Sequence, residues 1–349
     1  METYDIRSMT LEEIEALMVT LGEPKFRAKQ IYEWLHKKLV QSLDEMTNIP
    51  LALREKIKQE VGFAAVEEET KSVSKIDGTT KFLFKLQDGS MVESVLMKYK
   101  HGNSVCISSQ VGCRMGCRFC ASTIGGLTRN LLPSEMLGQI YYIQKSTQER
   151  VSNVVLMGTG EPFDNYDNFL RMLHLLTNPQ GLNISQRNIT VSTCGIVPKI
   201  KELAKEHLQI TLAISLHSPT DEMRKELMPI ANRYSIDEIM EACEDYFNET
   251  KRRITFEYSL VAGVNDKPEH ATILANRLKQ LNCHVNLIPV NPIEERDFRQ
   301  PEQESIQNFR KMLEKNRINA TIRREMGRDI QGACGQLRKN YQKNIQQTK

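Results

Sequence analysis

One short motif organises this chain: Cys113-Arg114-Met115-Gly116-Cys117-Arg118-Phe119-Cys120. The Cys-x3-Cys-x2-Cys spacing is typical of a compact metal-binding loop, and cysteine thiolates are the usual ligands of iron–sulfur clusters. Three cysteines fill three of the four iron corners of a cubane cluster. The open corner can bind a small molecule, as the vacant position of a catalytic metal site does. The motif therefore predicts an open iron–sulfur site.

A structural zinc site is the alternative interpretation of the same motif. Zinc needs a fourth protein ligand, which Cys106 or His101 could supply. Zinc-binding modules usually present two spaced pairs of ligands, and the neighbouring sequence offers no second pair. The spacing favours an iron–sulfur site, and a zinc-containing RNA-binding module without catalysis is the remote alternative.

Length and composition set the broad limits. The chain has 349 residues, which is long enough for one large domain and a smaller one. Its eight cysteines are too few and too irregularly spaced for the disulfide framework of a small secreted protein. No apolar run reaches the length of a membrane span, and the first residues lack the features of a signal peptide. We expect a cytoplasmic protein with reduced thiols and no membrane partner.

Basic residues cluster locally although the net charge is only +3. The clusters are Lys251-Arg252-Arg253, Arg323-Arg324 and Arg338-Lys339. Such clusters are usually just solvated surface. They also permit an RNA-binding surface, whose affinity would depend on phosphate contacts and therefore on salt.

Residues 1–62 predict a small helical accessory domain. Thr10 with Glu13 forms a capping box, Pro24 opens a second helix, and Gly62 ends the last one. This unit is either a cap packed on the main domain or a domain that contacts RNA. The pattern leaves both interpretations open.

Residues 63–98 predict a β-hairpin extension that leads into the core. Asp77-Gly78 and Asp88-Gly89 are turn signals between short strands of alternating pattern. Glu93 lies among apolar residues in the third strand. It is either a satisfied or solvent-facing strand residue or a carboxylate kept for proton transfer, and the pattern does not choose between them.

Residues 99–340 predict strands that alternate with helices, and residues 341–349 a polar tail. The predicted strands are 105–108, 153–157, 188–192, 210–217, 254–261 and 284–290, with helices beginning near Pro133, Tyr166, Pro198, Ser235, Lys267 and Pro301. Six such units indicate an α/β fold in which a parallel sheet curls into a full or partial barrel of the TIM type. In that architecture, functional residues lie on loops after the carboxyl ends of the strands.

Several polar residues follow these predicted strands. A Gly-rich turn, Gly158-Thr159-Gly160-Glu161-Pro162, follows the second strand, while Ser192, Ser215 and Asn291 end or follow others. Hydrogen-bonding groups of this kind suit an amino acid and a ribose. Each signal is weak alone. What favours a ligand site is that all of these residues lie at the carboxyl ends of the strands, at the same edge of the predicted barrel.

A Gly-rich loop near the carboxyl terminus presents Cys334 between small residues. Small neighbours leave a thiol accessible, which suits a nucleophile, although a lone cysteine is usually structural. We assign structural roles to Cys243 and Cys283 and leave Cys194 undecided.

Four further segments make the pattern more specific than the cysteine motif. They are Cys106-Ile107-Ser108-Ser109-Gln110-Val111-Gly112-Cys113, Met157-Gly158-Thr159-Gly160-Glu161-Pro162, Leu212-Ala213-Ile214-Ser215-Leu216-His217-Ser218 and Gly332-Ala333-Cys334-Gly335-Gln336-Leu337. With the helical start at residues 22–30, they resemble the radical S-adenosylmethionine (SAM) RNA methyltransferases that modify adenine ring carbons. The resemblance covers nearly the whole chain. It implies a partial (β/α)6 barrel with a helical accessory domain and a β-hairpin extension.

Within that family the sequence is most similar to the dual-specificity enzymes. Their substrates are adenine C2 in 23S ribosomal RNA, at the peptidyl transferase centre, and the adenine 3′ of the anticodon in transfer RNA. The alternative is C8 methylation of the same ribosomal adenine, as in antibiotic-resistance enzymes. The resemblance also implies an electron donor such as a flavodoxin-type reductase system, and we expect a monomer.

The resemblance further implies the cofactors and the residue roles. Cys113, Cys117 and Cys120 would hold a [4Fe-4S] cluster, and two SAM molecules would be used per turnover. Cys334 would take a methyl group from the first, and a 5′-deoxyadenosyl radical from the second would activate it to attack adenine. Cys106 would resolve the RNA–protein link through a transient disulfide with Cys334, and Glu93 would take the ring proton. The SAM contacts would be Gly160, Glu161, Ser192, Ser215, Leu216, His217 and Asn291.

Overall fold

The structure is a computed structural model that describes residues 5–292 and 296–330. The predicted nucleophile Cys334 and the predicted tail at 341–349 lie outside the described residues.

Three helices form the amino-terminal part: α1 (Leu11–Thr20), α2 (Phe26–His36) and α3 (Leu51–Glu60). The predicted capping box begins α1, because the Glu13 amide donates to Thr10 Oγ1 at 3.3 Å and the Thr10 amide donates to the Glu13 carboxylate at 2.8 Å. Gly22 and Gly62 both have φ +72°, the left-handed conformation common just after helices. The predicted helices are confirmed.

Buried residues of these helices belong to the same hydrophobic core as the apolar residues of the barrel strands and helices. Buried polar contacts cross the same junction: the His36 ring bonds the Tyr141 hydroxyl at 2.9 Å, and Ser134 Oγ donates to Asp5 at 2.6 Å. The amino-terminal unit is thus a packed cap on the barrel. An RNA-binding role for it, and the domain boundaries at residues 62, 98 and 340, remain predictions.

Twelve strands follow in the described part of the chain. They are β1 (Glu67–Val73), β2 (Thr80–Lys85), β3 (Met91–Tyr99), β4 (Gly102–Cys106), β5 (Gln110–Gly112), β6 (Leu127–Asn130), β7 (Val151–Leu156), β8 (Ile189–Thr193), β9 (Thr211–Ser215), β10 (Ile254–Leu260), β11 (Cys283–Pro289) and β12 (Ala320–Ile322). Ten form one sheet in the order β1-β2-β3-β4-β7-β8-β9-β10-β11-β12, and β5 and β6 form a separate antiparallel pair.

The main sheet has an antiparallel and a parallel part. Strands β1 to β4 pair antiparallel, and β4, β7, β8, β9, β10, β11 and β12 pair parallel. The six predicted barrel strands are present, and the short β12 adds a seventh parallel strand. The two ends of the sheet approach each other, because the Gly327 amide beyond β12 donates to Asp77 in the β1–β2 turn at 3.0 Å. The sheet is therefore a partial barrel that the predicted hairpin extension continues.

Within residues 5–292 and 296–330, seven helices accompany the parallel strands: α4 (Pro133–Thr147), α5 (Tyr166–Thr177), α6 (Val197–Lys205), α7 (Asp221–Leu227), α8 (Ile236–Thr250), α9 (Pro268–Leu278) and α10 (Gln303–Lys315). The short α7 was not predicted. Apolar strand residues such as Val154, Val191 and Leu212 are buried in the main core. Alternate positions of neighbouring strands carry Ser192, Ser215 and other polar groups, which gives the sheet a polar inner face.

The first barrel strand differs from its predicted bounds. It covers Gly102–Cys106 rather than 105–108, and the short β5–β6 hairpin follows it. The reason is local, because the Ser108 amide donates to the Gln139 side chain at 2.9 Å instead of to a strand partner. The cysteine motif connects the two strands of that hairpin.

Candidate functional site

The hairpin β5–β6 closes the base of the cysteine loop, residues 113–126. The Cys113 amide donates to the Gly126 carbonyl at 2.9 Å. Gly112 has φ +79°, and a Cβ there would lie 2.0 Å from the Gly126 oxygen. Only glycine allows this close approach of the two backbones.

Inside the loop, hydrogen bonds fix the relative positions of the cysteines. The Cys120 amide donates to the Cys117 carbonyl at 3.1 Å, and Thr123 Oγ1 donates to the carbonyls of Cys117 at 3.2 Å and Cys120 at 2.9 Å. Cys113 and Cys117 are buried, whereas Cys120 is partly exposed. These hydrogen bonds preorganise the loop.

The donor set of this loop fits an iron–sulfur cluster. Burial raises the pKa of the Cys113 thiol to about 12, and it also raises the pKa of Cys117. A cationic centre is needed to hold such thiols as thiolates, and iron supplies it. Among residues 5–292 and 296–330, no three His, Cys, Asp or Glu side chains converge as ligands of a single metal ion do. Three soft sulfur donors spread along one loop suit a multi-iron cluster better than zinc.

The predicted Gly-rich turn packs against the chain that leads into the cysteine loop. A Cβ on Gly158 would lie 2.6 Å from the Ile107 oxygen, and one on Gly160 would lie 2.7 Å from Gln110 Cβ. The Glu161 amide donates to Gln110 Oε1 at 2.8 Å. The glycines are thus explained by backbone packing, which brings Glu161 to the cysteine loop.

Glu161 is a buried carboxylate held by main-chain amides. It accepts from the Phe163 amide at 3.0 Å and from the Cys194 amide at 2.7 Å. Burial raises the pKa of Glu161 despite these bonds. Cys194, left undecided from sequence, packs in one small cluster with Cys117, and its main chain orients Glu161.

The predicted ligand residues on β8 and β9 lie side by side. The hydroxyls of Ser192 and Ser215 are 3.1 Å apart. The amides of Leu216 and His217 both donate to the Glu257 carbonyl, at 3.1 and 3.3 Å. These contacts fix the chain after β9 against β10.

His217 is held in an unusual conformation beside the cysteine loop. Its φ is +59°, its ring lies edge-on to Phe119 with centroids 4.7 Å apart, and Nδ1 accepts the Ser259 amide at 2.9 Å. Burial lowers the pKa of His217 to about 3. The ring is therefore neutral with its proton on Nε2, which makes it a hydrogen-bond donor rather than an acid–base group.

Asn265 supports His217 and was not identified from sequence. This fully buried amide donates to the carbonyls of His217 and Ser259, both at 2.7 Å, and accepts from the Val261 amide at 2.7 Å. Nothing in the sequence marks it, because its role depends on two loops meeting in space.

A cavity of about 590 Å³ opens near the ends of the sheet, and we call it the barrel cavity. Two predicted site residues line it, Cys106 and Asn291, together with Val95 and Met97 of β3. Its other side carries a basic segment with Arg323, Arg324, Glu325, Met326 and Arg328. The structure thus places Cys106 in a pocket whose rim is positively charged.

Glu93 is buried on β3 and forms an ion pair with Lys81 of β2, with Nζ 3.0 Å from Oε2. Lys81 lies directly opposite Val95 in the β2–β3 register, so both residues point to the same face as Glu93. That face lines the barrel cavity at Val95. Lys81 was missed because strand alternation alone does not show whether the face opposite Phe82 and Phe84 is buried.

The predicted site residues therefore fall into two adjoining groups. Cys113, Cys117, Cys120, Glu161 and His217 gather at the cysteine loop, with Ser192 and Ser215 on the neighbouring strands. Cys106, Asn291 and Glu93 belong to the barrel cavity or its wall, while Cys334 lies outside the described residues. No helix of the described chain combines the length and apolar character required to cross a bilayer.

Comparison with known proteins identifies the family. Residues 107–274 match the model of the radical SAM superfamily, and residues 4–62 match that of the ribosomal RNA large subunit methyltransferase N-terminal domain. Members of the superfamily bind a [4Fe-4S] cluster and SAM. A probable dual-specificity RNA methyltransferase RlmN of Lachnospira eligens is 62% identical, over 99% of this chain and 98% of that protein.

Two further proteins extend the comparison. A probable dual-specificity RNA methyltransferase RlmN of Lachnoclostridium phytofermentans is 61% identical over 97% of this chain and 96% of its own length. The crystal structure of a radical SAM methyltransferase from Sphaerobacter thermophilus matches with a TM-score of 0.91 at 42% identity, covering 95% of this chain and 98% of that one. The chain belongs to the RlmN family of dual-specificity RNA methyltransferases.

Proposed function

We propose that this protein methylates C2 of one adenine in 23S ribosomal RNA, at the peptidyl transferase centre, and of the adenine 3′ of the anticodon in transfer RNA. Its relatives carry the name of dual-specificity RNA methyltransferases, at 61–62% identity over nearly their whole length. The observation that carries the proposal is the barrel cavity, which combines a thiol, Cys106, with a basic rim suited to a nucleic acid.

Cys113, Cys117 and Cys120 are the residues proposed to hold the [4Fe-4S] cluster. The residues proposed to contact SAM are Gly160, Glu161, Ser192, Ser215, Leu216, His217 and Asn291. Glu161 would act as a hydrogen-bond acceptor, and neutral His217 as a donor through Nε2. When bound, the cluster and SAM would supply the 5′-deoxyadenosyl radical that removes a hydrogen atom from methylated Cys334, and the cluster would take back the electron that the RNA adduct releases.

The described part of the carboxyl-terminal segment supports a meeting of Cys334 with Cys106. Met326 and Arg328 line the same cavity as Cys106. Cys334 is the fourth residue after Ile330, a reach of at most about 14 Å along the chain. We propose that this short connection lets Cys334 reach Cys106.

The chain's own residues then perform the remaining chemistry. Glu93 takes the proton that C2 loses, and the C–H electron pair restores the aromatic ring. The Cys106 thiolate attacks the Cys334 sulfur, so that a disulfide forms and the bond from that sulfur to the methylene carbon breaks. The electron pair stays on the methylene carbon, which takes up a proton and becomes the new methyl group.

We also propose the wider setting of this reaction. A flavodoxin-type reductase system would reduce the cluster, the protein would act as a monomer, and its RNA substrates place it in the cytoplasm. The RNA contacts would be largely electrostatic, because Arg323, Arg324 and Arg328 lie at the cavity. Binding should therefore weaken steeply as salt increases.

An anaerobic assay tests the proposal. Reconstituted protein is incubated with SAM, a reductant and unmodified RNA fragments, and the nucleosides are compared with isomer standards by mass spectrometry. We expect 2-methyladenosine in both RNAs. Formation of 8-methyladenosine would assign the other ring carbon, and SAM cleavage without methylated RNA would refute the proposed substrate.

A further inference from the structure

Lys81 of β2 is a fully buried lysine, which the alternating pattern of its strand does not predict. Its Nζ lies 3.0 Å from Glu93 Oε2, and the exposed fractions of the two side chains are 0% and 3%. The two residues sit on adjacent strands, diagonal to each other, since Lys81 faces Val95 and Leu83 faces Glu93 in the register. The ion pair is therefore part of the sheet's inner face.

A buried ion pair contributes little to the stability of a protein compared with apolar residues in the same place. Desolvation of two charges can exceed their attraction, and apolar residues of similar volume are often as stable or more so. The opposite face of the same two strands is filled by apolar residues instead, because Phe82, Phe84 and Val92 pack in the main core. The pair instead lies beside the barrel cavity, where Val95 and Met97 of β3 form the wall.

The backbone at Glu93 is also held in place by Ser108, which connects it to the Gly-rich turn. Ser108 Oγ donates to the Glu93 carbonyl at 2.7 Å and accepts the Thr159 amide at 3.0 Å. The main chain of Glu93 is thus tied to the Gly-rich turn, while Lys81 holds its carboxylate. Both constraints act on the one carboxylate assigned to proton transfer.

We propose that Lys81 is a positioning residue that acts on the methylation reaction through Glu93. This inference rests on the proposed function, in which Glu93 takes the ring proton. Lys81 directs the carboxylate along the inner face, because its Nζ lies 3.0 Å from Glu93 Oε2 across the adjacent strand. Loss of Lys81 should therefore stall the reaction after the RNA has become attached to the protein.

The experiment compares Lys81→Met, Lys81→Arg and Glu93→Gln in the reconstituted holoenzyme with RNA. Three products are measured: 2-methyladenosine, 5′-deoxyadenosine and the covalent RNA–protein adduct on a denaturing gel. In Lys81→Met we expect 2-methyladenosine to fall by about a hundredfold, the scale of a lost general base, while 5′-deoxyadenosine forms in the first turnover and the adduct accumulates. Glu93→Gln should behave in the same way, and Lys81→Arg, which keeps the charge, should recover activity.

A double variant separates positioning from a structural role. Removing both partners of a buried pair avoids leaving one charge alone, so Lys81→Met/Glu93→Gln should fold at least as well as either single variant. If Lys81 acts through Glu93, the double variant methylates no more slowly than Glu93→Gln alone, whereas independent effects would multiply.

Each contrary result has a distinct meaning. Normal methylation by Lys81→Met, or joint loss of 5′-deoxyadenosine and adduct in it while Glu93→Gln accumulates adduct, would overturn the role of Lys81. Wild-type protein that makes no 2-methyladenosine would instead refute the proposed function. The covalent adduct, identified by mass, is a readout that a loss of stability alone would not produce.

Discussion

The cysteine loop and the wall of the barrel cavity lie on the same barrel but are built differently. The loop takes its three cysteines from eight consecutive residues and closes on itself through the Cys113–Gly126 hydrogen bond. The cavity wall combines Cys106 and Met97 with Asn291 and Arg323, which are far apart in the chain. One region is a local motif, and the other exists only when the sheet has curled.

This difference shows how the work is divided between the two regions. The loop provides a preorganised donor set, so it should fail as a unit when any donor is lost. We propose that the wall holds groups that act at separate steps, so its variants should stop the reaction at different points. The following predictions test that distinction.

The largest effect should come from Cys113→Ala. Without this ligand the cluster cannot be held, and both 5′-deoxyadenosine and methylated RNA should fall below detection. Iron content and visible absorbance measure the loss directly. Cys243→Ala is the matched control, because Cys243 is equally buried but lies in the core of α8, and it should keep its iron.

Cys106→Ala should block a later step. Cluster content and first-turnover 5′-deoxyadenosine should equal those of the wild type. Because the proposed resolving thiol is absent, the covalent RNA adduct should accumulate to about one RNA per enzyme molecule. Gel electrophoresis under denaturing conditions measures the adduct. If free methylated RNA continued to form at the normal rate, Cys106 would not be the resolving cysteine.

Asn265→Ala should have an intermediate effect, which is confined to the binding of SAM. It leaves the buried His217 carbonyl without its donor, and such a loss costs about 1–3 kcal/mol. We expect the KM for SAM to rise about tenfold while the cluster is retained. Asn316→Ala removes a comparable amide bond at the end of α10 and should leave that KM unchanged. An equal rise in both variants would contradict a specific role of Asn265.

Asp77→Asn should have the smallest effect. The carboxylate of Asp77 accepts the Gly327 amide, and such hydrogen bonds lower its pKa to about 2 although burial opposes them. Since the folded pKa lies below the ordinary 3.8, this contact stabilises the protein above that pH and is lost as the pH falls towards 2. We expect faster hydrogen exchange in peptides covering 323–330 and a few-fold slower methylation.

The second Asp-Gly turn of the extension provides the control for that variant. Asp88 accepts from the Ser90 amide at 2.9 Å and pairs with Arg129, away from the carboxyl-terminal segment. Asp88→Asn should therefore leave hydrogen exchange in 323–330 unchanged. Equal exchange in the two variants would show that the β1–β2 turn does not hold this segment.

Much of the fold could be predicted because its signals are local. The Thr10–Glu13 capping box, the two Asp-Gly turns and the apolar strands depend on neighbours a few residues away. Strand bounds were predicted less accurately. Strand β4 ends two residues earlier than predicted, because the Ser108 amide donates to the Gln139 side chain of α4. The helix α7 was missed, since a helix of seven residues carries little periodicity.

The candidate site likewise has a part that local sequence patterns predict and a part that depends on contacts between distant residues. The sequence by itself determined the cysteine loop, the Gly-rich turn and the family resemblance, because these are contiguous residue patterns with a direct chemical meaning. Only the tertiary structure decided that Lys81 pairs with Glu93, that Asn265 holds His217, and that Cys106 faces a cavity bordered by Arg323. The Lys81–Glu93 pair and the position of Cys106 depend on strand register and on the curl of the sheet, because a change of register by one residue would turn a strand side chain to the other face. The contacts of Asn265 depend on two loops that meet in space.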